Sequence, residues 1–247
     1  MSVTEPVIRE LASDEEYQAC LALQYETWGN AFREAVPPSI LLVSQKLGGV
    51  AAGAFDERDR MLGFVFGMTG VRNGAIVHWS DMLAVRPESQ NAGIGRKLKE
   101  YQRRAVAAVG ATSVVWTFDP LMARNAHLNF NVFGARAIEY VPDMYGHSTG
   151  SDLHRGIGTD RFLMEWPVSD DELARQRSAA AAERLTPDLR VAVPADFTSI
   201  LRSDPEDAKR WRVETRSALT SALAAGMRVV GFERAGNDGH GYYLLAR

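Results

Sequence analysis

Apolar positions along the chain fall into short runs that are separated by glycine, proline and charged turns. Alternating or continuous apolar runs of about four to eight residues predict strands, whereas a spacing of three and four predicts helices. The predicted strands are 7–11, 50–55, 61–69, 75–85, 113–118, 137–141 and 161–166. The predicted helices are 13–28, 40–47, 96–109 and 123–133. The resulting order, β-α-α-β-β-β-α-β-α-β-β, predicts an α/β (α+β) fold.

The C-terminal part of the chain has a pattern of its own. Residues 169–183 are rich in alanine and charge, which predicts an exposed helix or a linker. A strand at 189–193, a helix at 205–225 and a hairpin of 227–234 with 242–246 follow. The predicted buried face of that helix consists of Ala208, Trp211, Ala218 and Leu219. The predicted domains are 1–168, a linker or helix at 169–188, and a small β-α-β-β extension at 189–247.

The composition is typical of a soluble globular protein, with 46% hydrophobic and 24% charged residues among 247. A net charge of −3 argues against a basic field that would attract nucleic acid or an anionic membrane. No apolar run reaches the roughly 20 residues of a membrane span, and the first residues lack a signal-peptide pattern. The single cysteine, Cys20, excludes an internal disulfide and lies in an apolar helical stripe, which predicts a packing role. These features predict a cytoplasmic protein.

A glycine-bearing turn connects the predicted strand 75–85 to the helix that follows it. The turn contains Gln90-x-x-Gly93-x-Gly95, and Pro87 ends the strand before it. Free backbone N–H groups and the positive end of the helix dipole meet there, which favours an anion. A dinucleotide fingerprint is excluded because Leu98 occupies its third glycine position, and no P-loop motif occurs in the chain.

The sequence from Leu83 to Gly95 resembles motif A of the GCN5-related N-acetyltransferase (GNAT) superfamily. Leu83-Ala84-Val85-Arg86-Pro87 matches its strand ending, and Gln90, Gly93 and Gly95 match [Q/R]-x-x-G-x-[G/A]. The resemblance implies a central mixed, mostly antiparallel twisted sheet flanked by helices, and an acyl-CoA such as acetyl-CoA as co-substrate. It further implies that the pyrophosphate binds the backbone of Gln90, Asn91, Ala92, Gly93, Ile94, Gly95 and Arg96. The backbone of Leu83, Ala84 and Val85 would meet the pantetheine or the acyl carbonyl. The side chains that could meet phosphates are Arg86, Arg96 and Lys97.

A second segment, from Arg124 to Ala135, resembles motif B of the same superfamily, a helix that runs beside the coenzyme. Asn125 is the residue that this resemblance assigns to coenzyme binding. Two positions depart from the pattern: Phe130 replaces the usual tyrosine, and Ala135 replaces the phenylalanine after the glycine. The resemblance covers roughly residues 3–168, and it indicates a subgroup of the superfamily with a C-terminal extension.

Acyl transfer to an amine needs a base, and the strand 75–85 carries the candidates. Strict alternation would place Val77, Trp79, Asp81, Leu83 and Val85 on one side, and His78, Ser80, Met82 and Ala84 on the other. In the superfamily, a base often lies four or six residues before the valine, and Asp81 lies four before Val85. A carboxylate in an apolar strand is costly unless it is paired or functional. Asp81 is therefore the predicted base or ammonium anchor, an ion pair or an amide contact is the alternative, and His78 is the second candidate.

An acid in the protein can give a proton to the departing thiolate, although a thiolate can also leave without one. Phe130 has no hydroxyl group, so Tyr140 and Tyr145 after the motif B helix are the candidate acids. For each tyrosine, packing with an exposed hydroxyl is the alternative interpretation.

The loop 142–160 is long enough to suggest a role in substrate recognition. His147 and His154, with Asp152 between them, lack a third clear ligand, so we expect no metal site. Arg155 or Arg161 is expected to meet a carboxylate of the acceptor or of the acyl group, and a local Asp160–Arg161 salt bridge is the alternative.

The sequence therefore predicts an N-acyltransferase that acts by direct attack in a ternary complex, with acetyl-CoA as the default donor and a small amine or amino acid as acceptor. A succinyl donor is one alternative. Others are a coenzyme-binding or assembly module without turnover, and an unrelated α/β protein. Exposed strand edges are compatible with a homodimer.

Overall fold

A computed structural model describes residues 5–146, 156–236 and 238–247 of the chain. The described residues form two units, and the chain passes from the first to the second between Val115 and Trp116.

The first unit begins with a strand and two helices and continues with three strands and a third helix. Ser13 caps the first helix by accepting a hydrogen bond from Glu16 N–H, and proline begins the second helix. Asn73 and Gly74, both with positive φ, form the turn of the long hairpin. The elements are β1 (Val7–Glu10), α1 (Asp14–Trp28), α2 (Pro38–Lys46), β2 (Val50–Phe55), β3 (Met61–Arg72), β4 (Ala75–Val85) and α3 (Ile94–Ala108). A fifth strand, β5 (Ser113–Phe118), begins in the first unit and ends in the second.

The second unit continues from β5. Its first helix passes directly into a π-helical segment, Leu128–Phe133. A short helix after Asp196, which the sequence pattern did not predict, is capped by that aspartate. The elements are α4 (Ala123–His127), β6 (Arg136–Val141), β7 (Arg161–Pro167), α5 (Asp170–Glu183), β8 (Leu189–Pro194), α6 (Phe197–Ser203), α7 (Pro205–Ala224), β9 (Arg228–Glu233) and β10 (His240–Ala246).

The strands form two sheets. The larger has the order β1-β2-β3-β4-β5-β7-β6; β4 and β5 are parallel, whereas β1 to β4 and the pair β6–β7 are antiparallel. The smaller has the order β8-β10-β9 and is antiparallel throughout. The predicted mixed, mostly antiparallel sheet with flanking helices is therefore confirmed, as is the predicted C-terminal hairpin.

The core of the first unit lies where α1 and α2 pack against β2, β3 and β4. Leu23, Leu41 and Phe64 are fully buried there, and each such side chain contributes about 1.5–3 kcal/mol through burial. Cys20 belongs to the same cluster and is fully buried, as its predicted packing role requires. Burial raises the pKa of its thiol to about 12, so the thiolate is absent at neutral pH.

Candidate functional site

The strand β4 contains an irregularity at Asp81. Ser80 pairs with Gly67 of β3, and Met82 pairs with the preceding residue, Phe66, so Asp81 has no partner in this ladder. One extra residue in one strand of an antiparallel pair is a β-bulge, a feature that redirects side chains and is frequent next to active sites. The ladder between β4 and β5 covers Val77 to Trp79, and the bulge lies just beyond its end.

The bulge reverses the alternation of β4. Before it, Ser80 accepts a hydrogen bond from Lys99 of α3. After it, Leu83 and Val85 come within 4 Å of the position that a Cβ of Gly95 would take, so they also face α3. Met82 and Ala84 instead join the core of α1 and α2. The strict alternation that the sequence predicted is therefore wrong at this point, because it placed Asp81 and Leu83 on the same face without allowing for an extra residue.

Asp81 keeps an exposed side chain at the bulge. Its Oδ1 accepts a hydrogen bond of 3.3 Å from the Trp79 indole Nε1. Although the residue is accessible to solvent, the protein atoms around its carboxylate desolvate it and raise the pKa of Asp81; the Trp79 hydrogen bond opposes this rise, and the negative charge of Glu34 adds to it. A carboxylate whose pKa is raised toward neutrality is a better match for a base that works near pH 7. The alternative interpretation, an ion pair between Asp81 and an arginine, is not seen among the described residues. Glu34 is a contributor to the pKa of Asp81 that the sequence did not reveal.

His78 lies in a different environment. It is fully buried, and its Nδ1 is 3.0 Å from the Thr69 hydroxyl, whereas its Nε2 has no hydrogen-bond partner among the described residues. Burial, together with the charge of Lys99, lowers the pKa of His78 to about 3. Such an imidazole is neutral and a weak base, so we leave His78 out of the proposed chemistry.

Lys99 is a buried lysine that the helical pattern did not reveal. Its Nζ donates a hydrogen bond of 2.7 Å to Ser80 Oγ, and burial lowers the pKa of Lys99 to about 7. Lys99 thus ties α3 to the residue that directly precedes the bulge.

The glycine turn after β4 brings the predicted coenzyme-binding residues together. A 3-10 turn, Pro87–Ser89, follows the strand, and Gln90 Nε2 donates a hydrogen bond of 3.1 Å to Val85 O. Asn91 has φ +65° and Gly93 φ +78°, so the backbone twists twice through the left-handed region. A turn of this kind directs successive N–H groups to one side and is typical of anion sites.

The N-terminus of α3 has no side-chain cap, unlike those of α1, α5, α6 and α7. The first intrahelical bond runs from Lys97 N–H to Gly93 O, so the N–H groups of Ile94, Gly95 and Arg96 have no intrahelical acceptor. A Cβ at Gly93 would meet open space. The turn therefore combines N–H groups that lack intrahelical acceptors with open space beside Gly93, an arrangement that favours an anion.

The three basic side chains near the turn differ in whether they already form an ion pair. Arg86 is held by Glu26 and by Met61 O, and Lys97 Nζ pairs with Glu5 Oε1 at 2.5 Å. Arg96 is exposed and has no partner among the described residues. Only Arg96 is therefore ready to meet a phosphate without breaking an ion pair.

The two candidate acids belong to the second unit. The Tyr140 hydroxyl donates to Asp160 Oδ2 at 2.5 Å, and burial with this hydrogen bond raises the pKa of Tyr140 far above its ordinary value. The ring of Tyr145 is 41% exposed, and its hydroxyl is 3.0 Å from Thr117 Oγ1 of β5. Tyr145 is therefore the more accessible proton donor.

The motif B segment has both exposed and buried residues. Asn125 is exposed on α4 in the second unit. Phe130 is buried and packs against Phe118, Phe162 and Tyr243. The loss of the tyrosine hydroxyl at this position thus fits a buried side chain with three aromatic neighbours.

Asp160 and Arg161 do not form the local salt bridge that the sequence suggested as an alternative. Asp160 pairs with Arg216 of α7, and Arg161 donates instead to the backbone oxygen of Asp160 and lies 3.7 Å from Asp119. The other loop candidates, His147, Asp152, His154 and Arg155, lie outside the described residues.

Among the described residues, no cluster of three His, Cys, Asp or Glu side chains could hold a metal ion. No helix in the same part of the chain has the length and apolar character needed to cross a membrane.

Comparison with solved structures finds one fold. A GNAT superfamily phosphinothricin acetyltransferase from Sinorhizobium meliloti, in complex with acetyl-CoA, matches with a TM-score of 0.53 and 15% identity over 66% of this chain and 89% of that chain. A putative acetyltransferase from Salmonella typhimurium with acetyl-CoA matches at 0.52 and 18%, over 68% and 96%. Naa20 from Chaetomium thermophilum, with a bisubstrate analogue, matches at 0.51 and 21%, over 65% and 86%. No protein-family model and no curated protein sequence matches the chain.

Proposed function

We propose that this chain, which has the fold of the GCN5-related N-acetyltransferase superfamily, is an acyl-CoA-dependent N-acyltransferase with acetyl-CoA as its donor. The observation that carries the proposal is the uncapped N-terminus of α3 behind a left-handed Gly93. The backbone N–H groups there suit the pyrophosphate of the coenzyme, and Arg96 supplies a cation beside them. The backbone of Leu83, Ala84 and Val85 would hold the pantetheine.

The chemistry requires that the acceptor nitrogen lose two protons and that the departing sulfur gain one. When bound, the acyl-CoA supplies a thioester, whose carbon forms the new C–N bond with the acceptor amine as its C–S bond breaks. Asp81 accepts the proton of the acceptor ammonium through a water molecule, so that the amine has a free electron pair. Tyr145 donates a proton to the departing sulfur, and the second proton that the nitrogen loses as the amide forms passes through solvent to the Tyr145 oxygen, which restores the phenol. No covalent bond to the protein forms, which agrees with a single cysteine that is buried and protonated.

The acceptor that we propose is a small amine or an amino acid. The carboxylates of Asp81 and Glu34 are close enough for the charge of Glu34 to raise the pKa of Asp81, and such a negative region attracts an ammonium group. One structural neighbour is an acetyltransferase named for a small molecule, phosphinothricin, which supports an acceptor of this class. The predicted cytoplasmic location and homodimer remain predictions.

Thermal unfolding with candidate ligands tests the donor site. A ligand that binds only the folded protein stabilises it by about 2.7 kcal/mol at one hundred times its Kd. We expect acetyl-CoA and free coenzyme A to raise the Tm, and NAD and ATP to leave it unchanged. Succinyl-CoA in the same experiment compares the two acyl groups, because the acyl-CoA that binds more tightly gives the larger rise in Tm. A Tm that no coenzyme A species moves would contradict the proposal.

Replacing Arg96 by glutamate should separate binding from stability. A negative side chain in the first turn of a helix interacts favourably with the helix dipole, so the Tm should stay constant or rise slightly. The same charge repels phosphate and removes a charge-assisted hydrogen bond, so the Kd for coenzyme A should rise about 10- to 100-fold.

The matched control for this variant is Arg104→Glu. Arg104 is also exposed on α3, about 12 Å further along the helix axis, and its replacement should leave the Kd within about twofold. Calorimetric titration of both variants provides the comparison. Equal Kd values for Arg96→Glu and the parent would show that the anion does not bind at this turn.

A further inference from the structure

The C-terminal helix α7 contributes Arg216 to a network in the second unit that leads to Tyr145. Arg216 Nε donates to Asp160 Oδ2 at 2.9 Å, and its Nη2 donates to Asp143 Oδ1 at 2.9 Å and also contacts Asp160 Oδ1. One planar guanidinium therefore joins two carboxylates that are 17 residues apart in the chain. A fork of this kind fixes relative positions as well as supplying charge.

Asp160 is the buried centre of the network. Its side chain has no solvent exposure, and besides Arg216 it accepts hydrogen bonds from the Tyr140 hydroxyl and from Asp143 N–H. Burial alone would raise the pKa of Asp160, but the hydrogen bonds from Arg216 and Tyr140 outweigh it and hold the pKa below its ordinary value. Asp160 therefore stays ionised at neutral pH, and it needs the cation that α7 supplies.

The network continues through Asp143 and Thr159 to the backbone of Tyr145. Asp143 adopts a positive φ of 46°, and its Oδ1 accepts a hydrogen bond of 3.2 Å from Thr159 N–H. Thr159 is fully buried. Its Oγ1 accepts from Tyr145 N–H at 2.9 Å and donates to Gly146 O at 2.6 Å.

Tyr145 is held at both ends by these contacts. Thr159 fixes its backbone, and its hydroxyl lies 3.0 Å from Thr117 of β5. A non-glycine residue with positive φ, such as Asp143, is strained and persists only where surrounding contacts enforce it. Arg216 and Asp160 are the contacts that do so here.

We infer that Arg216 is a positioning residue, which holds the turn of residues 142–146 so that the Tyr145 hydroxyl keeps its place. The inference rests on the proposed function, in which Tyr145 donates the proton. The C-terminal extension then has a role in the transfer reaction, because its helix α7 holds the turn that carries Tyr145.

Fluorine NMR provides a test that does not depend on activity. The chain contains seven tyrosines, and labelling with 3-fluorotyrosine gives each its own resonance, of which Tyr145→Phe identifies one. We expect Arg216→Met to shift or broaden the Tyr145 resonance. Arg216→Lys keeps the charge that Asp160 needs but cannot join both carboxylates, so it should fold and still displace this resonance. Arg210→Met, on the exposed side of the same helix, should leave it in place.

Kinetics provide the second readout. Misplacing a reacting group by about 1 Å can lower the reaction rate on the order of 100-fold. We therefore expect kcat to fall about 10- to 100-fold in Arg216→Lys, while the KM for acetyl-CoA changes less than about twofold. An unmoved Tyr145 resonance in Arg216→Lys would overturn the inference even in an inactive protein. A displaced resonance in a protein that binds no coenzyme would support the positioning role and contradict the proposed function. An unchanged kcat in an active Arg216→Lys variant would also overturn the inference.

Discussion

Replacing Asp81 by asparagine is expected to lower kcat about 100- to 10,000-fold, the usual contribution of a general base. Asparagine keeps the size of the side chain and an oxygen that can accept the Trp79 hydrogen bond, but it cannot take a proton. The Kd for acetyl-CoA should stay within about twofold, because the proposed donor site consists of backbone, that of 83–85 and of 90–96, and does not include the Asp81 side chain. Steady-state kinetics and calorimetric titration on the same preparation measure the two quantities.

Two further properties distinguish a catalytic Asp81 from a structural one. The pKa of Asp81 is raised, so the acidic limb of the kcat/KM profile should have its midpoint above the pKa of an ordinary carboxylate, about 4. The asparagine variant should lose this limb. A raised pKa also means that ionisation of Asp81 disfavours the folded state. The asparagine variant should therefore be at least as stable as the parent at pH 8, and this advantage should disappear as the pH falls through the pKa of Asp81.

The matched control is Asp14→Asn, an exposed aspartate in the first turn of α1, which should leave kcat unchanged. A joint loss of coenzyme affinity and stability in Asp81→Asn would assign Asp81 a structural role. An unchanged kcat would remove Asp81 from the chemistry. If no amine acceptor is acetylated by a parent protein that binds acetyl-CoA, the coenzyme-binding module becomes the better hypothesis.

Replacing Arg212 by methionine is expected to lower the free energy of unfolding by about 3 kcal/mol, because it leaves a buried carboxylate without its main partner. Arg212 makes two hydrogen bonds to Asp119, and the two side chains are only 4% and 12% exposed. Arg161, with its Nη1 3.7 Å from Asp119, can replace only part of this interaction. Urea denaturation followed by fluorescence measures the loss.

Two controls accompany the Arg212 variant. Arg210→Met removes an exposed pair with Asp207 on the same helix and should change the free energy of unfolding by less than about 0.5 kcal/mol. Arg212→Met combined with Asp119→Asn removes both charges of the pair and should recover part of the lost stability; Arg161, which also pairs with Asp119, limits the recovery. Equal losses in Arg210→Met and Arg212→Met would show that burial does not strengthen the Arg212–Asp119 pair.

The turn between β4 and α3 was predictable from the sequence because its determinants are local. A proline that ends a strand, glycines that tolerate a left-handed backbone, and a helix without a capping side chain all act within a few residues of one another. Strand and helix order followed in the same way from apolar spacing and turn residues. The exceptions were α6, which is too short to show a period, and the π-helical end of the motif B segment.

The tertiary structure decided what alternation and helical spacing could not. The extra residue at Asp81 appears only when β4 is paired with β3, because a bulge is a property of two strands. The sequence predicted Trp211 on the buried face of α7, but that face instead carries Arg212 and Thr215. A helical pattern expects apolar residues there, and a buried arginine is stable only where the fold places Asp119 against it. The sequence by itself thus determined most of the elements and the glycine turn before α3, whereas long-range pairing of strands and charges determined the environments of Asp81, His78 and Tyr145.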